Sequence, residues 1–245
     1  MTVYDYEGSG SFDDAAQSVV VESASQFVVG GYVNSGSGLQ IAVSRFSFSG
    51  GSISHVEDLG VSVSGSVHAL AARSGGFIAA GASGNVFSTY LIPSDLGNAT
   101  GPIQQSFGES SGRADTVVVS GANLYVAGTA GTSPAIAKYD NSGNLLATKK
   151  LSMVGNLNGA VFLSNKLIVA GQQTTSGTRD FLLARLDANL NEDTSFAGGS
   201  SLRTTVSSGN DEALGLALVN NRFVAAGSAF LSGSTDQAIV RYRTE

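Results

Sequence analysis

No cysteine and no tryptophan occur in the 245 residues, proline appears only 3 times, and charged side chains make up 13% of the chain. Without cysteine there can be no disulfide, no thiolate metal site and no cysteine nucleophile. No run approaches 18 apolar residues, so no membrane insertion is expected. The net charge is −6 and no Lys/Arg run exists. Such a surface repels a phosphate backbone, so nucleic acid is not an expected partner. Met1-Thr2-Val3-Tyr4-Asp5 is neither a basic nor an apolar leader, so no signal peptide is expected within this chain. Histidine is scarce too. His55 and His68 stand in different stretches of sequence, and two such residues predict neither a metal pair nor a catalytic triad. No cofactor and no metal are expected.

What is abundant is glycine, at 32 residues. Between the glycine turns lie alternating apolar residues, which exclude simple disorder. One phrase recurs five times, an aromatic or Leu, then small apolar residues, then Gly. It reads Phe27-Val28-Val29-Gly30-Gly31, Phe77-Ile78-Ala79-Ala80-Gly81, Leu124-Tyr125-Val126-Ala127-Gly128, Leu167-Ile168-Val169-Ala170-Gly171 and Phe223-Val224-Ala225-Ala226-Gly227. The closing glycines Gly31, Gly81, Gly128, Gly171 and Gly227 are 50, 47, 43 and 56 residues apart. An apolar run precedes each phrase across a short polar turn such as Asn220-Asn221, which is hairpin grammar. A third strand follows and ends on a basic residue, Arg45, Lys138, Arg185 or Arg241, with Leu91 the exception in the second repeat. A fourth, more polar strand leads onward.

Four antiparallel strands per unit of this length is the size of a propeller blade, whereas solenoid rungs are shorter. The spacing therefore predicts an all-β fold, a five-bladed β-propeller with four antiparallel strands per blade, forming one domain over residues 1–245. Only 4 residues follow Arg241, so the fifth unit lacks a fourth strand. Thr2-Val3-Tyr4-Asp5-Tyr6 is expected to supply it, so that the N-terminal strand closes the last blade by pairing with residues 237–243.

Asp180-Phe181-Leu182-Leu183-Ala184-Arg185-Leu186-Asp187, followed by Asp193-Thr194-Ser195-Phe196-Ala197-Gly198-Gly199, resembles the delta-60 repeat of bacterial β-propellers, and Asp14-Ala15-Ala16-Gln17-Ser18-Val19-Val20-Val21 resembles that repeat's first strand. The resemblance implies a bacterial, extracellular or cell-surface propeller. It carries over no catalytic residues, because none are established for the motif.

Carboxylates begin several first strands: Asp14, Asp115, and the pair Asp211 and Glu212. First strands line a propeller's channel, so these acids would ring its mouth, where paired acids perform glycoside hydrolysis. The pattern is broken, since the second repeat offers His68 and the fourth Asn158 at the corresponding places. Asp caps of loops explain the acids more simply. Asp187-Ala188-Asn189-Leu190-Asn191-Glu192-Asp193 spaces its oxygens like a calcium loop but lacks that loop's Gly and Glu, and reads as a turn.

From repeat Gly to basic position is 14 residues in repeats one, four and five but 10 in repeats two and three. Blades four, five and one are therefore expected to carry long loops as one raised wall, bearing Tyr32, Phe230, Leu231 and Arg179. Aromatic anchors among small polar residues suit a glycan or protein ligand. The function read from the sequence is a non-catalytic binding or structural module. A glycoside hydrolase or lectin using the acidic mouth is the alternative.

Overall fold

A computed structural model describes residues 13–34, 36, 38–60 and 63–244. Its strands fall into five separate antiparallel sheets, one per repeat. Blade one holds β1 (Asp14–Val21), β2 (Gln26–Asn34), β3 (Leu39–Ser49) and β4 (Ser52–Asp58). Blade two holds β5 (Ser66–Arg73), β6 (Gly76–Ser83), β7 (Val86–Pro93) and β8 (Thr100–Gln105). Blade three holds β9 (Gly112–Ser120), β10 (Asn123–Ala130), β11 (Ser133–Asp140) and β12 (Leu145–Lys150). Blade four holds β13 (Val154–Leu163), β14 (Lys166–Thr175), β15 (Thr178–Asp187) and β16 (Ser201–Thr204). Blade five holds β17 (Asp211–Val219), β18 (Arg222–Leu231) and β19 (Ser234–Arg243). The all-β five-bladed propeller is the fold.

The turns follow from residue type. Ser164-Asn165 and Asn220-Asn221 both take positive φ at two successive positions, the left-handed geometry whose twist matches a two-residue hairpin. The repeat glycines have a different reason. In every blade one residue of the first strand is left unpaired as a bulge: Gln17, His68, Asp115, Asn158 and Leu214. The repeat glycine faces that bulge, and the opposing carbonyl oxygen fills the place of its missing side chain. A Cβ on Gly31, Gly81, Gly128, Gly171 or Gly227 would lie 1.7 to 2.1 Å from the oxygen of Ala15, Ser66, Arg113, Asn156 or Glu212. Only glycine admits so close an approach.

The core is built between blades. Val28, Ile41 and Val43 of blade one pack on Val67, Phe77 and Tyr90 of blade two. Ile78 and Phe87 pack on Leu124 and Tyr139 of blade three, Tyr125 and Ile136 on Leu167 and Leu182 of blade four, and Ile168 and Phe181 on Phe223 and Tyr242 of blade five. Each junction is also tied by a cation. Arg45 donates to the carbonyl of Ser94, Arg73 to that of Asn141 at 3.0 Å, Lys138 to that of Ala188 at 2.9 Å and Arg185 to that of Thr244 at 2.9 Å. The acceptors are equivalent positions just past the third strand of the next blade. Arg73 sits in β5, so it supplies from another strand the cation that Leu91 denies the second repeat. The recurrent basic residue is thus an interblade tie.

The fifth junction is different. First strands of successive blades touch from β1 through β17, but no comparable contact joins β17 back to β1 among the described residues. Arg241 is exposed and makes no tie of the kind seen at the other junctions among those residues. Among the described residues blade five has three strands, and β1 pairs with β2 rather than closing the last blade. The closing strand expected over residues 2–6 lies outside the described residues. The expected long loops also need correction. Blades four and five differ from two and three by longer hairpin strands, each still joined by a two-residue turn, Ser176-Gly177 or Ser232-Gly233. Four residues, 35–38, separate β2 from β3.

Candidate functional site

The acids at the starts of the first strands are drawn into three separate local arrangements. Asp211 is fully buried and accepts the backbone N–H groups of Val206 and Ser207 at 2.7 and 2.8 Å, together with the Ser207 hydroxyl. It holds the loop that enters blade five, as a capping Asp does. Glu212, its neighbour, points into the junction between blades four and five. Its Oε1 accepts the side-chain amides of Asn156 and Asn158 at 3.1 and 3.0 Å, and its Oε2 lies 3.5 Å from Arg179 Nη1. Two residues singled out from the sequence, Arg179 and Glu212, therefore meet as an ion pair. Asn158 also donates to the Ala213 carbonyl at 2.8 Å, which ties blade four to blade five at the bulge.

Asp115 is the bulged residue of β9. Its Oδ1 is 2.6 Å from Arg113 Nε and 3.3 Å from His68 Nδ1 of blade two. His68 had no functional role in the sequence reading. It occupies the same bulge position as Asn158 and bonds the Ala114 carbonyl at 2.9 Å, the equivalent tie two junctions earlier. The signal for this residue lay in the repeat alignment, where His68 and Asn158 stand in register with the acid Asp115.

Asp14 and Tyr32, read from sequence as parts of two different sites, line one cavity of about 640 Å³ on the flank of blade one, with Phe27, Val29, Phe46 and Ile53. Alternation along β2 and β3 puts Phe27, Val29 and Phe46 on the sheet face opposite the one that packs on blade two, whereas Tyr32 pairs with Ile41, whose side chain packs on blade two. The Phe27 and Phe46 rings stack with centroids 5.5 Å apart, and His55 meets Phe46 edge-on at 5.7 Å. This is the face to which a preceding blade would be applied, and no such packing is present among the described residues. Phe230 and Leu231 sit elsewhere, at the end of β18, and remain 44% and 43% exposed. Phe230 leans on its own blade's entry loop, where a Cβ on Gly209 would come within 2.8 Å of its ring, and its N–H donates to the Asn210 carbonyl at 3.0 Å.

The remaining acids hold turns. Asp187 accepts from the backbone of Asn189 and Asn191 and from the Asn191 amide at 2.8 to 2.9 Å, and Asp140 does the same with Ser142 and Asn144. These bonds hold both carboxyls below their ordinary range. The calcium-like spacing is a turn. No group of three or more His, Asp or Glu residues able to hold a metal occurs among the described residues. No helix among them is long and apolar enough to cross a membrane.

The geometry defines the class, a five-bladed β-propeller. Comparison with known proteins agrees at that level. The family described as a domain of unknown function (DUF5122) beta-propeller matches residues 164–196, within the fourth repeat. No curated protein matches the chain in sequence. Among solved structures, Sqt1 from Chaetomium thermophilum aligns with a TM-score of 0.55 at 11% identity, covering 95% of this chain and 62% of that one. This chain thus spans less than two thirds of that protein. Endo-arabinase from Bacteroides thetaiotaomicron aligns at TM-score 0.48 and 12% identity, covering 96% and 94%. The catalytic domain of the Coprinopsis cinerea alpha-L-arabinofuranosidase aligns at 0.42 and 13%, covering 99% and 94%.

Proposed function

We propose that the propeller is a binding module of a bacterial surface or secreted protein, and that it takes a protein partner in a cavity on the flank of blade one. The observation that carries this reading is the cavity of about 640 Å³ lined by Phe27, Val29, Phe46 and Ile53, on a sheet face against which no blade packs among the described residues. A sugar would need a ring of hydrogen-bonding groups around an aromatic platform. Here the polar lining is sparse, and the Ser44 hydroxyl already donates to Asp58 at 2.6 Å. Phe48 and Ile53, 49% and 46% exposed on the same blade, extend the apolar surface. Aliphatic and aromatic side chains of an extended partner segment suit such a groove.

The glycosidase alternative needs two carboxyls flanking a shared space. Asp115, Asp211 and Glu212 instead hold Arg113, a loop backbone, and Asn156 with Arg179. Their interactions support a structural part for them in ordering the blades.

The test is peptide selection on the whole chain from a displayed library. Selected peptides are expected to be rich in aromatic and aliphatic residues and to bind Ile53→Asp at least tenfold more weakly at unchanged melting temperature. Equal binding to that variant refutes the flank as the site. In parallel, arabinan, xylan and sucrose are expected to remain uncleaved; turnover lost on Asp14→Asn would restore the hydrolase reading.

A further inference from the structure

The expectation that histidines in separate repeats form no triad rests on distance along the chain, and the fold removes that distance. His68 and Asp115 are the unpaired residues of the bulges in β5 and β9, and these two side chains meet across the junction of blades two and three. His68 Nδ1 lies 2.9 Å from the Ala114 carbonyl oxygen and 3.3 Å from Asp115 Oδ1. Both are acceptors, so Nδ1 carries the proton, and in the neutral ring Nε2 is left as the acceptor. The atom at Nε2 is Ser66 Oγ, at 3.0 Å. The Ser66 hydroxyl therefore donates to the one ring nitrogen able to take its proton, which is the arrangement a serine nucleophile requires.

An interblade tie alone does not call for this set. Asn158, at the same bulge position in blade four, makes the tie to Ala213 with a plain amide at 2.8 Å, and the residue two before it is Asn156. Two features at His68 exceed the tie. One is the serine on the far nitrogen. The other is the carboxylate, whose Oδ2 is buried with no hydrogen-bond partner while Arg113 holds Oδ1 at 2.6 Å. A buried carboxylate oxygen left open beside a histidine is positioned to stabilise the imidazolium formed when His68 takes a proton. Ser66, 5% exposed, borders a cavity of about 460 Å³ with Leu39, Gln40, Ser64, Gly65 and Ala82. That volume has room for a short acyl group, within the usual size range of small-molecule sites.

We infer that Ser66 is an activated nucleophile, with His68 as its base and Asp115 as a positioning residue, and that this cavity accepts a small carboxylic ester. This activity goes beyond partner binding and lies at a different place, the junction of blades one, two and three. Ser66 Oγ bonds to the carbonyl carbon while its proton passes to His68 Nε2. The ester C–O bond then breaks, and the leaving alkoxide takes that proton. Water attacks the acyl-serine with its proton again passing to Nε2, and Ser66 regains a hydrogen as the acid departs. A fluorophosphonate follows the first half only: an Oγ–P bond forms, P–F breaks, and fluoride and the proton leave.

The experiment uses the full chain with a fluorophosphonate probe and p-nitrophenyl acetate. The probe is expected on Ser66 by peptide mass mapping. His68→Asn keeps the interblade tie, as Asn158 does, so its melting temperature is expected to hold while labelling slows by about 100-fold or more, the scale of general-base assistance. Asp115→Asn is expected to lower kcat for the acetate at little change in KM. Ser66→Ala, which retains the strand, is expected to abolish labelling. Absence of labelling in the wild-type chain, labelling on another serine, labelling of His68→Asn at the wild-type rate, or labelling that survives Ser66→Ala overturns the inference.

Discussion

Replacing Gly128 by alanine isolates the reason for the repeated glycine. The added Cβ would sit 2.0 Å from the Arg113 carbonyl oxygen and 2.9 Å from Ala114 Cα, where real Cβ contacts essentially never fall below 3.0 Å. Strands β9 and β10 must part by roughly 1 Å at the bulge, and both obstacles are backbone, so neither can swing aside. Two or three ladder bonds weaken, each worth about 0.5–1.5 kcal/mol, and overpacking strain adds about 1–3 kcal/mol. The sum, about 2–7 kcal/mol, is a large share of a typical domain stability of about 5–15 kcal/mol. At about 2–4 °C per kcal/mol for a chain of this size, the melting temperature should fall by roughly 4 °C at the least. Gly215→Ala is the matched control. A Cβ there meets nothing within 4 Å, so restricting the unfolded chain should raise stability by about 0.4–1 kcal/mol. Its counterpart in blade four, Gly159, would strike the Leu216 backbone of blade five at 2.6 Å. Among the described residues no following blade stands against Gly215, so the same variant reports on the fifth junction. Scanning calorimetry reads both. A Gly128→Ala midpoint within a degree of wild type refutes the bulge argument, and a destabilised Gly215→Ala shows that blade one closes onto blade five.

Lys138→Met removes a charged donor from the Ala188 carbonyl and should cost about 1.5–3 kcal/mol, whereas Arg241→Met, at the junction where the described residues show no such tie, should leave urea unfolding unchanged. The Tyr90 phenol is fully buried and donates to the Ser64 and Ala82 carbonyls, and burial raises it from 10.0 to about 12. The folded chain therefore keeps a proton that the unfolded chain gives up, so its contribution is present below pH 10.0 and lost as pH rises toward 12. Tyr90→Phe should flatten that alkaline step in a pH series of melting curves. Asp193 is held well below 3.8 by Ser195, Lys166 and Arg185, so its contribution is present above that value and lost as pH falls through the depressed one. Asp193→Asn should be less stable at neutral pH, with the gap to wild type closing on acidification.

Five hairpin units, their polar turns and the recurrent cation were legible in the sequence because each is a short-range pattern. Alternation sets which face of a strand is buried within a few residues, and Asn220-Asn221 marks a left-handed turn wherever it stands. The repeat glycines were legible as punctuation but not as a bulge contact, since the colliding oxygen belongs to a residue 15 or 16 positions earlier, as with Ala15 and Gly31. The extra spacing in repeats four and five was read as loop because count alone does not separate a longer loop from a longer hairpin. Pairing of Thr174 with Arg179 and of Phe230 with Thr235 decides for the hairpin.

The candidate sites divide the same way. Composition and period determined the fold class and the acidic first-strand positions, because these depend on local alternation and repeat length. Only the tertiary structure decided what each acid touches. Asp211 turns to its own loop, Glu212 to the asparagines of the preceding blade and Asp115 to His68, 47 residues away. It also decided that Arg73 replaces the cation missing at Leu91, and that Asp14 and Tyr32 line one cavity on the flank of blade one. The physical reason is that a strand's sequence specifies its inward face, while the partner of that face is chosen by the twist and bulge of the sheet beside it.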